Sequence, residues 1–183
     1  MNGSIVLPHR QPPPLQWMAG DVMQKNIMED DLNCRLVAAL QKEGRISHAE
    51  LAERLGVSRP TVIDRVKRLE AEGVLGGYGA RVAPAAVMKP CVAFVAVRYQ
   101  SGNDDHLEEQ FIQALERELD VLAAYTIAGE DSLLLKIVAE SPMGVHQRLR
   151  KIRSLGPQVT TRTMMILKTY FEKEGPSPFS EEF

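Results

Sequence analysis

Between Glu29 and Gly73 the chain is cut by its own capping residues into three short helical periods, none long enough to be stable alone, so they must pack on one another. Leu32, Leu36, Val37 and Leu40 fall at i, i+4, i+5 and i+8, with the acids Glu29 to Asp31 ahead of them and Gly44 just beyond. Ser47 and Glu50 form an S-x-x-E capping box before Leu51, Ala52 and Leu55, and Gly56 stops this second helix after about two turns. Ser58 can cap a third helix, in which Val62, Val66 and Leu69 recur at i, i+4 and i+7 until Gly73 ends it. Two short helices joined by a tight turn containing glycine, with a third helix packed on them, make a helix-turn-helix. The small Ala52 allows close approach, Gly56 can take the left-handed turn conformation, and Val62 anchors the last helix inward.

With Val62 at zero and about 100° per residue, Val66 and Leu69 lie within about 40°, and Thr61, Asp64, Arg65, Lys67 and Arg68 are expected on the far side. The whole chain has a net charge of -2 and gives no reason to expect a polyanionic partner. From Val57 to Leu69, however, four cations, Arg59, Arg65, Lys67 and Arg68, face only Asp64, and local charge is what matters at a groove. Arginine reaches guanine edges or phosphate, while serine and threonine reach phosphate. An ordinary solvated face is the alternative, with Arg65 and Arg68 paired to Glu72 or Asp64. The capped helix and Gly56 turn ahead of this face favour double-stranded DNA.

After Gly73, the glycine-spaced stretch from Val74 to Pro84 reads as a strand or wing leading into a hinge. Beyond it lie a β-branched strand over Cys91 to Tyr99, a helix over His106 to Leu119, and strands over Val121 to Ala128 and Leu133 to Ala139 around Gly129. A helix over Met143 to Ser154 and a last strand over Val159 to Tyr170 complete the set. The order βαββαβ is the ferredoxin-like pattern, a four-stranded antiparallel sheet with both helices on one face. Val92, Phe94 and Ala96 alternate with Ala93, Val95 and Val97, so the first strand is apolar on both sides. A partner sheet, hence a dimer, is the natural cover for the open face.

The expected organisation is an α+β chain. It has a disordered Pro-rich arm over 1–27, a helix-turn-helix DNA-binding domain over 28–73 and a wing or hinge strand over 74–89. A ferredoxin-like effector-sensing and oligomerisation domain over 90–172 and a flexible tail over 173–183 follow. The longest apolar stretch, Ala85 to Val97, is broken by Lys89 and Pro90, so no membrane helix is expected. The N-terminus lacks a signal peptide's apolar centre, and Cys34 and Cys91 stand without CxxC or Cys/His spacing. A cytoplasmic protein with neither disulfide framework nor zinc site is therefore expected. His9, His48, His106 and His146 form no nucleophile, carboxylate or H-x-x-x-H arrangement, and no phosphate loop occurs. Catalysis, a metal and a cofactor all lack support, and Gly76-Gly77-Tyr78-Gly79 is too weak a signal for a nucleotide site.

Certain stretches carry a resemblance from Glu29 to Lys173. They are Asp31-Leu32-Asn33, Gly44-Arg45-Ile46-Ser47, Glu50-Leu51-Ala52, Gly56-Val57-Ser58, Arg65-Val66-Lys67-Arg68-Leu69-Glu70 and Gly73-Val74-Leu75-Gly76-Gly77-Tyr78, then Gly129 and Thr161-Arg162-Thr163. The chain resembles the Lrp/AsnC, or feast/famine, family of prokaryotic transcription regulators. That resemblance implies a winged helix-turn-helix joined to a ferredoxin-like RAM (ACT-like) domain, nucleoid-associated DNA binding, and dimers that assemble further, often to octamers. It also implies small effectors, usually amino acids, bound between dimers. Carried over residue by residue, DNA contact falls on Ser58, Arg59, Thr61, Arg65 and Arg68, with Lys67 and Arg45 reaching phosphates. Effector contact falls on Gly129, Glu130, Asp131, Ser132, Thr161 and Thr163. Many members carry Gly-acid-x-acid in that turn, whereas this chain has Gly129-Glu130-Asp131-Ser132. Simpler alternatives are a hairpin glycine at 129 and two β-forming threonines on an exposed sheet face. The competing functions are an effector-independent architectural DNA binder and a sensing module that no longer binds DNA.

Overall fold

A computed structural model describes residues 27–100, 105–156, 158–173 and 175–179. They fall into two compact units, one holding the chain up to Ala80 together with that from Glu172 on, the other Arg81–Phe171.

The first unit carries α1 (Asp31–Lys42), α2 (His48–Leu55) and α3 (Arg59–Ala71). Each begins where a side chain accepts an otherwise unpaired backbone N–H: Asp30 from Leu32, Ser47 from Glu50 and Ser58 from Thr61. Gly56 ends α2 at φ 68°, where an L side chain would be strained, and the turn closes with the Val57 N–H on the Ala52 carbonyl at 3.0 Å. Leu36, Leu51, Val62 and Leu69 are fully buried at the centre of this unit, and Ile27 joins them from the segment before α1. The tail belongs to this unit, with Gln41 Nε2 donating to the Pro176 carbonyl at 2.9 Å.

The strand expected after Gly73 is absent. Residues 76–83 have no regular structure and lead into a 3-10 turn at Pro84–Val87. Gly77 sits at φ 131°, outside the strand region, and glycine gives a strand neither packing nor entropic support.

The second unit holds β1 (Cys91–Tyr99), α4 (Asp105–Glu116), β2 (Val121–Thr126), β3 (Leu133–Ala139), α5 (Pro142–Leu155) and β4 (Val159–Met165). The antiparallel sheet has the order β2-β3-β1-β4, the ferredoxin-like arrangement. One face, with Val95, Val97, Leu135 and Ile137, packs on Phe111 and Leu115 of α4 and on Val145, Leu149 and Ile152 of α5. Two strands are shorter than expected: β2 stops at Thr126, and β4 at Met165 rather than Tyr170. β1 starts just after Pro90, so once the Ile166 N–H has bonded the Val92 carbonyl no strand remains beside the chain. Leu167, Tyr170 and Phe171 are accordingly exposed.

Candidate nucleic-acid interface

Helix α3 presents Arg59, Lys67 and Arg68 to solvent, and Arg45 is exposed in the loop before α2. Ser58 does more than cap. Its Oγ also lies 2.8 Å from Thr61 Oγ1, so both hydroxyls are held at the helix N-terminus. Arg65 differs from the outward orientation expected of it. At about 60° from Val62 it borders the packed side of the helix, and its Nη1 bonds the Asp30 carboxylate and, at 3.0 Å, Asn33 Oδ1. Asn33 is buried and donates its Nδ2 to the Ile27 carbonyl at 2.6 Å, so Arg65 closes a network joining α3, α1 and the segment before α1. The arginine hydrogen bond holds the Asp30 carboxyl below the usual carboxylate range.

Beside α3 opens a groove of about 410 Å³, lined among others by Arg45, Ile46, His48, Ile63, Lys67 and Tyr78. The Tyr78 phenol is pushed up by burial, and further by the charge and hydrogen bond of Glu70, which also lines the groove.

In the second unit, the turn after β2 places Gly129 at φ 134°. It is held by the Ile127 N–H on the Ser132 carbonyl at 3.0 Å and by the Ser132 N–H on the Val97 carbonyl at 2.8 Å. Both acids of the turn are already engaged. Glu130 accepts from Arg98 Nη2 at 2.8 Å, and Asp131 accepts from Arg162 Nη2 at 2.6 Å and lies 3.5 Å from Arg98 Nε. The Glu130 side chain is 85% exposed and that of Asp131 only 11%, so Asp131 is the structural member of the set.

Arg98 and Arg162 belong to the sheet face away from the helices. Thr161 and Thr163 sit opposite Val97 and Val95, on the helix side. Thr161 Oγ1 accepts from Arg153 of α5 at 2.9 and 2.5 Å. The carboxylates of the turn and the two threonine hydroxyls therefore lie toward different faces of the sheet. The face away from the helices also carries Phe94, Leu134, Tyr125 and Met164, and the last two are 50% and 45% exposed.

Residues 29–75 match the model of the winged helix-turn-helix DNA-binding family, and residues 92–176 match that of the Lrp/AsnC ligand-binding domain. The transcriptional regulator LrpA of Mycobacterium tuberculosis is 37% identical over 142 residues, covering 78% of this chain and 92% of that protein. The chain belongs to the Lrp/AsnC family. The leucine-responsive regulatory protein of Rhizobium meliloti is 36% identical over 140 residues, 76% of this chain and 89% of that one. The solved structure of the M. tuberculosis feast or famine regulatory protein complexed with L-methionine superposes with a TM-score of 0.73 at 36% identity, covering 81% of this chain and 99% of that one. This Lrp/AsnC protein is thus a DNA-binding transcription regulator with a ferredoxin-like ligand-binding domain, and not an enzyme. Among the described residues no group of histidines, cysteines and acids could hold a metal ion, and no helix is long and apolar enough to cross a membrane.

Sequence reasoning missed Asp30 and Asn33 as the partners of Arg65, and Arg98 and Arg162 as those of the turn's acids. These pairs are 31 to 35 residues apart, so no helical or strand period marks them. The angular arithmetic alone hinted that Arg65 stands nearer the buried face than Lys67 or Arg68 do.

Proposed function

We propose that this Lrp/AsnC regulator places α3 in the DNA major groove, with Arg59 and Arg68 reaching base edges or phosphates. Ser58 and Thr61 hold a phosphate at the helix N-terminus, and Arg45 and Lys67 position the backbone. The observation that carries this reading is the set of exposed cations Arg45, Arg59, Lys67 and Arg68, which have no ion-pair partner among the described residues. Arg65 adds a contact only by exchanging Asp30 for a phosphate. The apolar outer sheet face around Phe94, Tyr125, Leu134 and Met164 is covered by a second copy, giving a dimer whose two α3 helices meet successive major-groove faces. Fluorescence anisotropy of a duplex from the gene's own upstream region, titrated with salt, tests the DNA reading. Affinity that falls steeply with salt, and weakens in Arg59→Ala and Arg68→Ala, is expected; no salt-dependent binding refutes it.

An amino-acid effector bound where dimers meet, near Gly129, Glu130, Asp131, Ser132, Thr161 and Thr163, modulates assembly only as far as its affinity differs between assembly states. Support comes from the L-methionine complex of the similar M. tuberculosis protein. A second reading, an architectural DNA binder with no effector, draws on the engagement of Asp131 by Arg98 and Arg162, which leaves that carboxylate committed. Thermal unfolding against the twenty amino acids at millimolar concentration separates the two. One selective upward shift, lost in Ser132→Ala or Thr161→Ala, supports the sensor. A flat panel with the fold intact supports the architectural protein.

A further inference from the structure

A helix with its side chains is about 10–12 Å across and the major groove about 12 Å wide, so whatever flanks a recognition helix meets the phosphate walls. One flank of α3 lies about 100° from Val62 at Ile63, with Lys67 at about 140° and Glu70 at about 80°. On this side the 410 Å³ groove opens. Three basic side chains from three stretches of chain line it: Arg45 from the loop before α2, His48 from the first turn of α2 and Lys67 from α3. Against them stands one carboxylate, Glu70, with Tyr78 lining the same groove. Helix α1 contributes no charged side chain to the lining. Arg45, His48 and Lys67 are all exposed. The site is thus concave, accessible and cationic on the flank that a DNA strand must pass.

We propose that His48 is a phosphate contact of the DNA complex, completing with Arg45 and Lys67 a clamp on one strand beside the recognition helix, so that protonation of His48 adds one phosphate contact. The proposal rests on the DNA-binding reading above and names a residue and a pH response that the recognition helix alone does not supply. Histidine is the side chain whose charge ordinarily changes between about pH 5 and 8. The ionisable groups that line the groove with it are Arg45, Lys67, Glu70 and Tyr78.

The test is the salt dependence of binding by the full chain to a duplex from its own upstream region, at about pH 6 and about pH 8. Each neutralised phosphate contributes about 0.9 to the slope of log K against log salt. The wild type is expected to show a slope steeper by about 0.9 at the lower pH, and His48→Gln to remove that difference while keeping the slope of the higher pH. Because His48 is exposed, the variant is expected to unfold at the wild-type temperature. A pH difference that survives in His48→Gln, or none in the wild type, overturns the proposal and leaves DNA binding standing. Absence of salt-dependent binding by the wild type at both pH values overturns DNA binding itself, and the clamp with it.

Discussion

Replacing Gly156 by alanine tests the packing of the ligand-binding domain where an added Cβ would meet its shortest contact. A Cβ at this position falls 2.3 Å from Phe111 Cδ2 and 2.7 Å from Cγ, about 1.2 Å short of an ordinary carbon contact of about 3.5 Å. The backbone is not the obstacle, because φ is -144°, open to any residue. The ring is the obstacle: Phe111 is fully buried beneath the sheet and meets Tyr99 edge-on at 6.2 Å, so it has no free direction of retreat. Overpacking of this kind costs about 1–3 kcal/mol, and complete burial puts it in the upper half of that range. Alanine recovers about 0.4–1 kcal/mol by restricting the unfolded chain. The net loss of about 1–2.5 kcal/mol in a unit of this size lowers its transition by roughly 5–20 °C. Differential scanning calorimetry of Gly156→Ala, Phe111→Leu and the double variant measures it. In the double variant the two losses combine to less than their sum, because leucine vacates the space the new methyl needs. An unchanged transition in Gly156→Ala, or strict additivity, refutes the reasoning.

Arg45→Ala and Lys67→Ala should each flatten the salt dependence of DNA binding by about 0.9 in slope while leaving thermal unfolding unchanged, read by anisotropy and circular dichroism. Asp30 has a folded-state carboxyl below its ordinary value, so its contribution to stability is complete above about pH 4 and is lost as pH falls through the lowered value. Asp30→Asn should therefore weaken the helix-turn-helix at neutral pH by about 1 kcal/mol or less, given the exposure of the pair. It should also lose less stability than wild type on acidification below that point, as urea unfolding at several pH values would show. The Tyr99 hydroxyl is buried without a partner among the described residues, and burial, with Glu108 nearby, pushes the phenol to about 12. Tyr99→Phe should then be neutral or stabilising by up to about 1 kcal/mol in thermal denaturation, and a clear destabilisation would show that the hydroxyl has a partner.

Much of this protein was legible from local chemistry. Ser47, Ser58 and Gly56 mark helix ends by satisfying orphan N–H groups or by tolerating positive φ, and these are properties of a residue and its immediate neighbours. The period-2 and period-3.6 patterns gave the βαββαβ order for the same reason, since alternation records which side of an element is buried. Strand ends were less legible: Thr169 and Tyr170 have good β character, yet β4 stops at Met165 because β1 begins only after Pro90 and offers no further partner. The stretch from Gly76 to Ala83 is extended in pattern but has no ladder among the described residues.

The candidate sites divide along the same line. That α3 carries a cationic face behind a serine cap follows from residue order alone, because helical spacing converts directly into angle. Packing between distant elements is what turns Arg65 to Asp30 and Asn33, holds Asp131 between Arg98 and Arg162, and sets Thr161 on the helix side beside Arg153. A long charged side chain near the edge of a buried face can reach several partners. Which one it meets depends on how elements distant in sequence pack, and no local period encodes that.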